Sequence, residues 1–326
     1  MAEFQFIKQR VRAFHDLIDA ASVREVKDAL AEFTTPEFQW RGMHPFTLQR
    51  GAEAVADTFW RPLKQAVTSI QRRPDVFIAG RNDTDGSTSE WVCSMGHLMG
   101  LFDRPWLGIP PTGKLLFLRY AEFNRVVDGQ ISESALFCDI IGVMRQAGLN
   151  PLPYQTGAFV VSPGPRTHDG LMYDAQPTAE SEKTLALINQ LIADLTTDYV
   201  KTSETRLARC WQDDMAWFGP AGIGATYTRE RYRQQHQDPF RSGLKDIEFQ
   251  GHVCRIAEGH FGGFFGWPNL KMKPAGGFLG LPASDLVSEM RVVDFYRRDG
   301  DKLAENWIII DLLHFLHGLG VDLLPA

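Results

Sequence analysis

One pattern occurs twice in this chain, and that limits its architecture more than any other feature. Residues Gly108 to Pro153 recur 172 positions later as Gly280 to Pro325 without a gap. Within the block Arg119 answers Arg291, Glu122 answers Asp294, and Arg125 answers Arg297. Glu133 likewise answers Glu305, and Asp139 answers Asp311. A period this long duplicates a whole domain, whereas solenoid repeats run to roughly 20–50 residues.

Upstream, Trp40-Arg-Gly42 answers Trp217-Phe-Gly219 and Pro62-Leu63 answers Pro239-Phe240, now 177 apart. The net insertion in the first copy falls in Gly80 to Ser89, which reads as a hairpin loop rich in Gly, Asn and Asp. The expected division is a first domain over 1–153, a linker over 154–178 and a second domain over 179–326. Repeated prolines and glycines without helical period mark the linker. Its Ala158-Phe-Val-Val161 is suited to pairing on a sheet edge.

Each copy opens with amphipathic helix signal: Phe6, Ile7, Val11, Phe14, Leu17 and Ile18 in the first, and Leu185, Ile188, Leu191, Ile192, Leu195 and Tyr199 in the second. A short aromatic strand and a short helix follow. Then come alternating strands joined by the hairpin signals Asp128-Gly129 and Asp299-Gly300. Helices first and an antiparallel meander afterwards describe an α+β domain. A curved sheet wrapped on its helices leaves a concave pocket.

Composition restricts the partners. Net charge is −6 and no long Lys/Arg run is present, so nucleic acid is not an expected partner. No apolar stretch reaches spanning length, and the first residues lack a secretory pattern. The four cysteines form no CxxC pair, which suits reduced thiols in a cytoplasmic protein without a zinc site. No metal-ligand spacing or Ser-hydrolase motif appears, so neither metal nor cofactor is expected.

The last hairpin holds the residues most suited to chemistry. Strand alternation puts Glu133 with Phe137 and Asp139 on one face, and Glu305 with Trp307 and Asp311 on one face of the second copy. The two carboxylates of each strand lie roughly 20 Å apart, too far to share one atom. Asp139 and Asp311 each interrupt an apolar run. Buried, such a carboxyl group is pushed toward its neutral form and can exchange protons near neutral pH. Equally, each Asp can cap the C-terminal helix that follows. Arg125 and Arg297, beside the turns, suit cross-strand pairing with Glu133 and Glu305. Arg119 and Arg291 suit either such pairing or the orientation of an anionic oxygen. Trp40 and Trp217 are pocket walls or core. His44 and His97 are either general bases or satisfied core groups, and neither is repeated in the second copy.

At these residues the chain resembles the SnoaL-like polyketide cyclases, a family of the nuclear-transport-factor-like superfamily. The resemblance rests on the repeated Trp-x-Gly, on Leu107-Gly-Ile-Pro-Pro-Thr-Gly113, on Arg119 through Glu133, and on Asp139 through Gly148. It implies two cone-shaped α+β domains, each a curved, mostly antiparallel sheet packed on N-terminal helices. In the family's enzymes an Asp at the end of the last strand is the acid/base of an intramolecular aldol closure, a role that would fall to Asp139 and Asp311. Glu133, Glu305, Arg119, Arg291, His44 and His97 would support it, with Trp40, Trp217, Phe137 and Trp307 on pocket walls. The family often writes Glu-His-Trp where this chain has Glu133-Ser-Ala and Glu305-Asn-Trp. The expected function is cofactor-free acid/base catalysis on a small apolar or polycyclic carbonyl compound, by cyclisation, isomerisation or dehydration. The alternative is a binding protein of the same fold. The duplication also leads us to expect an intramolecular pseudo-dimer.

Overall fold

The computed structural model describes residues 4–153, 155–196 and 204–325. Tyr199, which helical periodicity adds to the second copy's opening helix, lies outside the described residues. The chain forms two compact units. Unit 1 comprises Met1–Leu149, Arg166–Ala175 and Leu323–Ala326, and unit 2 comprises Asn150–Pro165 and Gln176–Asp322.

In unit 1 the order is α1 (Gln5–Ala20), α2 (Val26–Phe33), β1 (Thr34–Gly42), β2 (Thr47–Arg50) and α3 (Gly51–Val55). A π turn (Ala56–Trp60) leads into α4 (Arg61–Ala66), β3 (Val67–Arg81), β4 (Glu90–Phe102), β5 (Leu115–Val127), β6 (Gln130–Cys138) and α5 (Ile140–Gln146). Unit 2 repeats the plan with α6 (Thr178–Thr196), α7 (Glu204–Cys210), β7 (Trp211–Phe218), β8 (Ala225–Tyr227) and α8 (Arg229–Tyr232). A second π turn (Arg233–Gln237) is followed by α9 (Asp238–Gly243), β9 (Leu244–Phe249), β10 (Cys254–Glu258), β11 (Phe261–Pro274), β12 (Ser288–Asp299), β13 (Lys302–Ile310) and α10 (Leu312–His317).

Unit 1 has a sheet of order β2-β1-β6-β5-β4-β3, and unit 2 one of order β10-β11-β12-β13-β7-β8, with β9 also on β11. Neighbours are antiparallel except β1 with β6 and β7 with β13. Each unit is therefore α+β with a mixed, mostly antiparallel sheet. The insertion expected at Gly80 to Ser89 is the turn between β3 and β4. Residues 247–257 are divided between β9 and β10.

The elements follow from their apolar spacing. Ile7, Val11, Phe14 and Ile18 place one buried stripe along α1, and each such side chain contributes about 1.5–3 kcal/mol by leaving water. The repeated Trp-x-Gly has a steric cause. Trp40 folds back over its own strand, so a Cβ on Gly42 would lie 2.1 Å from the indole. Trp217 does the same to Gly219, at the same 2.1 Å. Only glycine leaves room.

The segment between the copies is tied down at both ends. Buried Lys8 donates to Met172 O at 2.6 Å, and Phe77 N donates to Gly170 O at 2.9 Å, which fixes 166–175 to unit 1. In unit 2, Ala158 pairs antiparallel with Ala225 at the edge strand β8. The chain's closing residues return to unit 1, where a Cβ on Gly108 (φ 72°) would lie 2.5 Å from Pro325 O. In unit 2 the matching Gly280 (φ 75°) stands against Pro153. All four cysteines are buried and unbridged. Among the described residues no helix is long and apolar enough to cross a membrane.

Candidate active site

Side chains alternate across a strand, so even and odd positions of β12 and β13 stand on opposite faces. The even residues Met290, Val292, Asp294 and Tyr296 of β12, with Asn306, Ile308 and Ile310 of β13, wall a cavity of about 160 Å³ in unit 2. Leu191 and Ile192 of α6, Trp211 and Trp217 of β7, and Tyr232, His236 and Gln237 complete much of the lining. The last two belong to the π turn, a form that recurs at functional sites. The volume is close to the roughly 150 Å³ of an engineered cavity that admits benzene, so it holds about one ring.

The polar groups are few and specific. Asp294 is buried, and Asn306 Nδ2 donates to its Oδ1 at 2.9 Å. The same Nδ2 donates to Phe295 O at 2.9 Å, which fixes the amide's orientation. Burial and then the Asp294 charge raise the Tyr296 hydroxyl well above its ordinary pKa. Burial and Asp294 raise Tyr232 as well. Both phenols therefore keep their protons and act as donors. His236 stacks on Trp217 with centroids 4.1 Å apart. Burial, assisted by Arg241, pushes its imidazole down to about 3, so it is neutral at physiological pH.

Among the described residues, three buried polar atoms on the lining of this cavity have no hydrogen-bond partner: Trp211 Nε1, His236 Nδ1 and Gln237 Oε1. The first is a donor, the third an acceptor, and the imidazole nitrogen takes either role by tautomer. Buried polar atoms are nearly always paired. Three orphans around one apolar space match a ligand that carries its own donors and acceptors.

Unit 1 fills the matching position with its own charges. Glu122, the counterpart of Asp294, has its Oε2 2.5 Å from His15 Nε2 and 3.7 Å from the Arg72 guanidinium. Arg72 forks onto Asp19 at 3.1 and 3.2 Å and lies over the Tyr120 ring, whose hydroxyl meets Ser94 Oγ at 2.8 Å. Burial raises the Glu122 pKa, but His15 and Arg72 outweigh it and hold the carboxylate below its usual range. Burial, then Arg72, lowers His15.

Asp139 caps α5, accepting from Gly142 N at 2.9 Å. Asp311 caps α10, accepting from His314 N at 3.1 Å, and is fully buried. Arg291 lies 3.8 Å from Asp311 and stacks on Trp267. Asp311 does not border the cavity. Glu133 is held below its usual pKa because Arg41 and Arg125, at 2.8 and 2.7 Å, outweigh its burial. Glu305 pairs with Arg297. Arg119 is buried opposite His97 in the β4–β5 register, and His97 Nδ1 is 3.6 Å from Asp75. His44 precedes cis-Pro45 in the turn between β1 and β2.

Of the expected pocket residues, Trp217 borders the cavity. Trp40 packs in the unit 1 core against Phe59 at 5.6 Å. Trp307, an odd position of β13, stands on the face away from the cavity and donates to Pro163 O at 2.8 Å. Phe137 is likewise an odd position, of β6, and is buried; its counterpart in β13 is Ile309. The groups that reasoning from sequence passed over are Asp294, Asn306, Tyr232, Tyr296, Trp211, His236 and Gln237. One signal was available: Asp294 and Glu122 are acidic in both copies. Asn306 also stands where the family often has histidine.

The sequence model of the family described as SnoaL-like polyketide cyclase matches residues 8–147. Aklanonic acid methyl ester cyclase AcmA of Streptomyces galilaeus is 27% identical over 143 residues, covering 44% of this chain and 92% of the relative. Among solved structures, a protein from Jannaschia sp. CCS1 described as a SnoaL-like polyketide cyclase is 23% identical. It covers 46% of this chain and 96% of its own, with a TM-score of 0.37. IdmH of Streptomyces antibioticus, described as a polyketide cyclase, is 18% identical, covers 41% and 98%, and has a TM-score of 0.34.

Proposed function

We propose that unit 2 closes a ring by an intramolecular aldol step, a reading supported by the match of residues 8–147 to the SnoaL-like polyketide cyclase model and by the repetition of that copy in the second half of the chain. The observation that carries this reading is the apolar cavity with one fixed carboxylate and three unpaired polar atoms on its wall. The relative named for an aklanonic acid methyl ester makes a methyl ester that also carries a second carbonyl, as an aldol step requires, the substrate class to test.

The step balances without an external reactant. Asp294 takes a proton from the carbon beside the ester carbonyl. The released electron pair forms the new carbon–carbon bond at the ketone carbon. The ketone's π pair moves to its oxygen, and that oxygen receives the proton from Asp294. Trp211 N–H and the protonated Tyr232 and Tyr296 hydroxyls are donors suited to the charge that develops on oxygen. Asn306 fixes the carboxylate. Positioned acid/base groups of this kind contribute about 10²–10⁴ in rate.

A non-catalytic binding protein is the second reading, and the capping of α5 and α10 by Asp139 and Asp311 favours it. Asp294→Asn separates the two, assayed for cyclisation of aklanonic acid methyl ester and for its binding. Binding retained with turnover lost supports catalysis. Binding without turnover in the unaltered protein supports the second reading.

A further inference from the structure

A second cavity of about 250 Å³ lies in unit 2, and His236 lines both it and the inner chamber. An aromatic row runs from one to the other. His236 contacts Phe240 at 5.8 Å between centroids, and Phe240 meets Phe278 edge-on at 5.6 Å. Phe240 faces the inner chamber and Phe278 the outer pocket. The outer lining, which includes Ile223, Pro239, Leu279, Thr156 and the Gly277–Gly280 backbone, holds no charged side chain. The inner lining holds Asp294 and Arg241. The imidazole between them carries the unpaired Nδ1.

We infer that the outer pocket is a second subsite, which takes an uncharged alkyl or ester arm of a compound whose ring occupies the inner chamber. The inference rests on the proposed role of that chamber. It follows from size and charge together. The inner space holds about one ring, so anything larger must extend beyond it, and the adjoining space across a neutral side chain offers apolar walls without a partner for an ion. An arm ending in a carboxylate would lose its hydration there and gain no counter-charge.

Three probes test this by titration calorimetry: acetophenone, its 4-hexyl derivative, and the same derivative with a terminal carboxylate. The hexyl compound is expected to bind about tenfold tighter than acetophenone or better, given the apolar surface it buries. The carboxylate is expected to lose that gain. Thr156→Trp places an indole in the outer pocket from an exposed position and is expected to bring the hexyl-to-acetophenone ratio close to one. Gln235→Trp is a second filling variant should the first not fold. If acetophenone binds but the hexyl arm adds nothing, or the ratio survives both fillings, the inference fails alone. If acetophenone does not bind at all, the inner chamber's role fails and takes the subsite with it.

Discussion

Asp294 and Asp311 are both buried carboxylates of the last hairpin region, yet their surroundings give them different work. Asp311 accepts from a backbone N–H at a helix start, whereas Asp294 faces a cavity and is steadied by an amide side chain. Asp294→Asn is expected to lower cyclisation about 10²–10⁴-fold with little change in melting temperature. An unaltered rate would remove Asp294 from the mechanism. Asp139→Ala and Asp311→Ala are each expected to cost about 1 kcal/mol of stability or somewhat more, through the lost cap, in denaturant titrations. The alternation of Glu305, Trp307 and Ile309 was legible in the sequence, but which face turns inward was not. Both faces of β12 and β13 are largely buried and each mixes apolar with polar residues, so a wholly polar face, the usual sign of the solvent side, is missing. The face carrying Arg291 and Glu305 drew attention because its charges repeat, while the cavity lay behind the other.

At the scale of elements, the parts set by local rules were readable. Asp128-Gly129 and Asp299-Gly300 turn the hairpins, and the i, i+4 stripe of α1 buries as its spacing requires. Two features depend on distant partners and left no local mark. One is the parallel pairing of β1 with β6 and of β7 with β13. The other is the π turn, which brings His236 and Gln237 to the cavity wall through a widened helical turn that no propensity signals. The Trp-x-Gly motif is local, and its test is local as well. Gly219→Ala pushes a methyl group into the Trp217 ring, and such overpacking costs about 1–3 kcal/mol. Because Trp217 stacks on His236, binding of a one-ring ligand should weaken in the same variant. Gly42→Ala should destabilise unit 1 by a similar amount.

For the whole molecule, the division of the chain is not a simple cut after residue 153. Leu323–Ala326 belongs to unit 1, so deleting it is expected to speed amide exchange around Trp106 and Gly108, a readout in unit 1 of a change at the far end of the sequence. Acid should weaken both units, because buried histidines are depressed in each, His15 in unit 1 and His236 in unit 2. His15 has a folded pKa below its unfolded value, so below about pH 6.5 the unfolded chain binds a proton that the fold refuses. Glu122 is depressed too, and its contribution is lost as pH falls from about 4.5 through its folded value. Stability of unit 1 should therefore decline with acidification in two stages, and Glu122→Gln should flatten the lower one in denaturant midpoints taken against pH. The contrast between the buried ion cluster of unit 1 and the cavity of unit 2 has a genetic consequence. In a dimer of identical chains every substitution appears in both subunits, so hollowing one interior hollows the other. A tandem gene is free of that constraint. One copy can keep its buried ion cluster while the other changes its cavity.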